Sequence, residues 1–170
     1  MNKITMLSLL VTGSFAFSKT ITIEYEPGLY EQHILSDEEE RQLIVQELED
    51  QAAIAEYAIN DPDNLVRWEA VERLHNQTLL AEVVKKCVHT YTRQLAIRKL
   101  EDQTLLVEIA RDDNDFAVRG TAVYKIKDQT ILAEIAQNDK NHVVRSAAVQ
   151  NLDDKTLLAN IAQKIEGVVF

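Results

Sequence analysis

The sequence predicts an all-α fold, a short right-handed solenoid of stacked helix pairs, and three observations predict it. Leu48, Leu74, Leu100, Ile126 and Leu152 stand 26 residues apart. Arg67, Arg93, Arg119 and Arg145 keep the same spacing in a second register. A fixed period of this size marks a repeat array, in which each unit buries its apolar face against the next. The composition agrees. Hydrophobic residues make up 46% of the 170, enough to fill a core, and four Gly and two Pro leave few positions for the turns of a strand-rich fold.

Residues 1–18 are expected to be a secretory signal. Lys3 supplies a basic start, Ile4 to Phe17 is an apolar stretch diluted by Thr, Ser and Gly, and Ala16 and Ser18 are small residues at −3 and −1 before Lys19. The stretch is short for a bilayer span, which needs about 20 apolar residues. Export to a periplasm or out of the cell is the expectation. Cys87 is the single cysteine, so an exported chain would have no internal disulfide and packing would hold it together. Residues 19–35 form an extended arm in which Ile21, Ile23 and Tyr25 alternate, able to fold back on the array or add to a partner's sheet.

The repeat domain is expected over 36–165. Ser36-Asp37-Glu38-Glu39 has the form of a capping box. Arg41, Val45 and Leu48 fall 26 residues before Arg67, Val71 and Leu74, so 36–48 is a lone second helix serving as a cap. Four full units follow at 49–74, 75–100, 101–126 and 127–152. In the third, Leu105, Leu106, Ile109 and Ala110 form one helical face, and Val118, Ala122, Val123 and Ile126 form another. The polar run Arg111 to Asp115 separates them. A lone first helix at 153–165 caps the other end, bringing the expected helices to ten, and 166–170 is a tail.

The remaining columns assign local roles. Asp50, Asn76, Asp102, Asp128 and Asp154 precede the first helices as N-caps, and Asp63, Asp115 and Asn141 precede the second helices. Ala70, Ala96, Ala122 and Ala148 let neighbouring helices approach to about 8 Å. Glu56, Glu82, Glu108 and Glu134 form an acidic column, expected to be a solvated helix face.

The string Asp61…Val66-Arg67…Ala70 recurs at Asp113…Val118-Arg119…Ala122 and at Asp139…Val144-Arg145…Ala148. In this pattern the chain resembles the second-helix signature of HEAT repeats, with the short bacterial HEAT-like and leucine-rich-variant types nearer in length. The resemblance implies that these Asp and Arg residues form a ladder between adjacent units, and that the second helices line a concave face. A guanidinium suits such a place because it can bond bidentately to a carboxylate.

Unit two breaks the pattern. Cys87 stands at the ladder Asp position and His89 at the capping position. Arg93 is therefore expected to lack the partner its counterparts have, with Thr90 taking over as the cap. Cys87, His89 and Tyr91 invite a metal or thiol site, but two soft ligands fall short of a zinc set and no oriented base is evident. Elsewhere Trp68, Tyr91 and Tyr124 lie on the second helices with Arg73, Arg98, Lys99 and Lys125, a mixture that resembles protein-binding hot spots.

The formal charge of −10 is unevenly spread. Residues 19–64 hold 13 acidic and two basic groups, while residues 65–170 hold 15 of each. Nucleic-acid binding is not expected, since it concentrates Lys and Arg. The acidic end could steer a basic partner or simply solvate the terminus. No Gly-rich phosphate loop, nucleophile elbow or paired-Cys motif is present. The expectation is an exported, non-enzymatic adaptor for a protein partner, with no cofactor and no membrane span after signal cleavage. Two alternatives stand beside it: a lyase-like or cofactor-handling HEAT-like protein with its site in unit two, and a self-associating envelope protein.

Overall fold

Helices start where the capping columns stand. The computed structural model describes residues 3–5, 20–26 and 29–153. Across 37–150 it is an all-α stack: α1 (Asp37–Glu47), α2 (Gln51–Asn60), α3 (Asn64–Arg73), α4 (Gln77–Lys86), α5 (Thr90–Lys99), α6 (Gln103–Asp112), α7 (Phe116–Val123), α8 (Gln129–Asn138) and α9 (His142–Gln150). Ser36 closes a capping box with Glu39 in both directions. Asp50, Asn76, Asp102 and Asp128 accept backbone N–H groups at the starts of α2, α4, α6 and α8. Asp63, Asp115 and Asn141 do so for α3, α7 and α9.

Helix α5 is the exception. His89 makes no side-chain bond at its start. Thr90 does not take over either, because its hydroxyl donates across the layer to Asp115 Oδ2 at 2.6 Å.

Seven of these nine helices end on a residue in the extended region, with φ between −61° and −72°. An extended C-cap needs no left-handed residue, which is how the stack turns so often with so few glycines. The last carbonyls must then find donors elsewhere.

Helices of 8–11 residues are marginal alone in water and persist by burying a shared face. Leu80, Val83 and Val84 of α4 are buried, as are Leu106, Ile109 and Ala110 of α6 and Leu132, Ala133, Ile135 and Ala136 of α8. The column Leu74, Leu100, Ile126 and Leu152 is buried at the second-helix ends, each side chain worth roughly 1.5–3 kcal/mol. Ala70, Ala96, Ala122 and Ala148 have no exposed surface. Successive second helices α1, α3, α5, α7 and α9 pack on one another in turn, whereas among the described first helices only α2 and α4 share comparable contact. The stack is therefore tighter on its second-helix side.

Before the helices lies a three-stranded antiparallel sheet of order β1-β2-β3, with β1 Lys3–Thr5, β2 Thr20–Glu26 and β3 Leu29–Ile34. Thr20 faces Ile34 and Glu24 faces Tyr30 in the β2–β3 pairing. The arm at 19–35 thus holds two strands paired with each other, and β1 falls within the stretch read as a signal. Residues 6–19 and 154–170, with the capping helix and tail expected there, lie outside the described residues. Among the described residues no helix is long and apolar enough to cross a membrane.

Candidate functional site

The ladder runs forward along the chain. Each bonded Arg reaches the Asp 20 residues ahead, at the end of the next unit's first helix. Arg41 Nε donates to Asp61 Oδ2 at 2.7 Å. Arg93 Nη2 donates to Asp113 Oδ2. Arg119 forms a bidentate pair with Asp139, Nε to Oδ2 at 2.9 Å and Nη2 to Oδ1 at 3.0 Å. Burial pushes the Asp139 carboxyl up, but bonds from Arg119 and the Asn141 amide outweigh it and hold the group below its ordinary range.

This direction corrects the expectation for unit two. Arg93 has its carboxylate. The residue that loses one is Arg67, because the position 20 residues ahead of it is Cys87. Arg67 is 6% exposed and forms no ion pair among the described residues. Its Nε donates instead to Thr92 Oγ1 at 3.2 Å. Its Nη1 donates to the carbonyls of Asp61 at 2.7 Å and Pro62 at 2.9 Å. Thr92 was not anticipated, though its column gives the signal: Val66, Val118 and Val144 occupy that place in the other units. A hydroxyl appears in the layer that lost its carboxylate.

A second set of residues missed from sequence is the column Gln51, Gln77, Gln103 and Gln129. Each donates from Nε2 to a carbonyl 22 residues ahead, at Arg73, Lys99, Lys125 and Asn151, over 3.2–3.5 Å. Each also accepts an N–H 24 residues ahead, from His75, Glu101, Lys127 and Asp153. One amide thus satisfies both a helix end and the following link. The period is visible in the sequence, but the sequence alone assigns these Gln residues no role.

The cationic candidates divide. Arg73 Nη2 donates to Leu48 O at 2.9 Å, Lys99 Nζ to Val71 O at 2.9 Å and Lys125 Nζ to Arg98 O at 2.5 Å. Asn151 continues the column by donating to Val123 O at 2.9 Å. These side chains supply the donors that the preceding second helix lacks at its C-terminal end, where positive charge is favoured. Burial holds the Lys125 ammonium below its ordinary range. Arg73, Lys99 and Lys125 are therefore occupied within the stack, while Arg98 is exposed.

The aromatic candidates remain at the surface. Trp68 is 42% exposed and Tyr91 and Tyr124 are each 57% exposed. Leu65, at 51%, joins Trp68 on α3. By the repeat register Leu65 and Tyr91 share one column, as do Arg98 and Tyr124. Tyr124 Oη lies 3.3 Å from Gln150 Oε1 in the next layer. Gly120 follows Trp68 and Gln94 in a third column, and a Cβ added there would meet nothing within 4 Å.

The acidic column is solvated or locally paired. Glu82 pairs with Lys86 at 2.7 Å and Glu134 with Arg111 at 2.6 Å, both with exposed side chains. Such pairs are screened by salt.

Around Cys87 the structure brings together few reactive groups. The thiol is 4% exposed and lines a cleft of about 630 Å³ with Val84, Val88, Arg93 and Asp113. Its Sγ contacts the backbone carbonyl of His89 at 4.0 Å. No imidazole is hydrogen-bonded to it among the described residues. Nor do three or more His, Cys, Asp or Glu residues gather there as a metal set among the described residues.

Comparison with family models, curated proteins and solved structures returned no match.

Proposed function

We propose that this chain is an exported, non-enzymatic HEAT-like adaptor that holds a protein segment with apolar and basic side chains along its second-helix face. The observation that carries this reading is the exposure of Leu65, Trp68 and Tyr91 on consecutive second helices, continued by Arg98 and Tyr124. Aromatic side chains beside Arg are what anchors at protein interfaces are made of. A strip of this kind on the tight side of a stack offers a surface to a partner. Charge supports the partner's chemistry, because residues 35–64, at the strip's N-terminal end, hold ten acidic groups against Arg41 alone.

The HEAT-like assignment rests on the Asp–Val–Arg–Ala signature and on the Arg–Asp bonds between layers. Export rests on residues 1–18, and a mature chain beginning at Lys19 is the expected product. The test is recovery of a partner from the export compartment on the full chain, compared with Trp68→Ala and Arg98→Ala. Loss of an anchor should reduce recovery about tenfold or more. Equal recovery by both variants would remove this face from the function.

A further inference from the structure

We propose that Cys87 is an oxidation site whose cysteine sulfinate completes the interrupted ladder by taking the place of the missing aspartate. The argument starts from backbone geometry. Asp61, Asp113 and Asp139 are the C-cap residues of their first helices, with φ/ψ of −62°/134°, −64°/138° and −61°/136°. Cys87 caps α4 in the same way, at −69°/132°. A side chain at position 87 therefore leaves the chain in the direction the ladder carboxylates take.

The second observation is Arg67. It keeps one contact of its intact counterpart, with Nη1 bonding the carbonyl six residues back at 2.7 Å as Arg119 Nη1 does at 2.8 Å, while its Nε turns to Thr92. Nη2 of Arg119 meets Asp139 Oδ1, whereas Nη2 of Arg67 makes no hydrogen bond among the described residues. By the repeat register the Arg67 guanidinium thus stands where its counterparts meet a ladder carboxylate, and its Nη2 takes no protein partner among the described residues. The backbone N–H of His89 is in the same situation. Its counterparts at Asp63, Asp115 and Asn141 donate to the ladder Oδ1 at 2.7–2.9 Å, and a thiol offers them no such acceptor.

A sulfinate carries two oxygens and one negative charge on the atom attached to Cβ, as the carboxylate of aspartate does. The oxidant is a peroxide. The Cys87 thiolate attacks hydrogen peroxide, an S–O bond forms, the O–O bond breaks, and the departing oxygen leaves as water, giving the sulfenate. A second peroxide repeats the step, so each water formed accounts for one two-electron oxidation of sulfur. No second cysteine exists in the chain to divert the sulfenate into an internal disulfide. The cleft beside Cys87 gives a small oxidant its path. Sulfinates resist reduction by ordinary thiols, so the change persists. Its effect is to tie α3, which carries Trp68, to the C-cap of α4, just ahead of α5 and Tyr91.

The experiment treats the reduced full chain with hydrogen peroxide and follows Cys87 by peptide mass and the stack by thermal unfolding. Two added oxygens on Cys87 and a rise in melting midpoint of about 4 °C are expected. Cys87→Asp should show that rise without peroxide, and Cys87→Ser should show none with it. Adding Arg67→Met to Cys87→Asp should abolish the gain. Arrest at one oxygen, passage to three, an unmodified thiol or a lowered midpoint in the oxidised chain would each overturn the proposal. So would a Cys87→Asp chain no more stable than the wild type.

Discussion

The contact between α7 and α9 and that between α3 and α5 occupy equivalent places in the repeat, yet they are held differently. Beside the first, Arg119 is 1% exposed and grips Asp139, the C-cap of α8, through two bonds. In the second, Arg67 is nearly as buried but meets only a hydroxyl and two carbonyls. The α3–α5 contact is also the less extensive of the two. A cation this deep must be compensated. The difference teaches that the layer without the carboxylate holds its Arg through Thr92, an acceptor on the facing helix.

The comparison can be broken most sharply at its intact end. Asp139→Ala leaves Arg119 buried without its carboxylate and should cost about 3–5 kcal/mol in urea unfolding. Acid probes the same pair. Because Asp139 is held below the ordinary carboxylate value of 3.8 and Asp115 is lowered too, chiefly by the Thr90 hydroxyl, both stabilise the fold fully above that value. Their contribution should disappear as pH falls through the depressed values, and Asp139→Ala should show a shallower acid loss over that range.

At the weaker contact, Thr92→Val restores the residue type of the column but removes the acceptor for Arg67 Nε. We expect a loss of about 1–3 kcal/mol by the same measurement. In a Cys87→Asp chain the loss should shrink, since the carboxylate replaces the hydroxyl. His89→Asp installs the cap that α5 lacks and should add about 1 kcal/mol. The smallest effect is expected at Gly120→Ala, a gain of roughly 0.5–1 kcal/mol, because the new methyl meets open space inside a helix.

These residues also show what could be read from the chain. The helix pairs, their caps and the buried Leu and Ala columns were legible because one period repeats them in the same register. The direction of the ladder was not. Asp61 and Arg67 are six residues apart within one unit, whereas the carboxylate that Arg41, Arg93 and Arg119 use lies 20 residues ahead in the sequence. That error moved the orphan from Arg67 to Arg93. The Gln column was visible as a period but carried no role until the carbonyls at the helix ends were seen to need donors. Among the surface candidates, burial separated Arg73, Lys99 and Lys125 from Arg98. Their lengths and charges alone could not, because a long cation can turn back onto a helix end as readily as outward.

A forward-reaching ladder gives the chain a polarity resembling that of a plug-and-socket cable. Every ladder Arg is a plug and every ladder Asp a socket, and the segment 75–100 carries a plug, Arg93, without a socket. Excising those 26 residues would seat Arg67 directly into Asp113 and leave a shorter array with every described connection made. The segment is thus dispensable to the connector scheme, and its retention would have to be explained by something other than assembly.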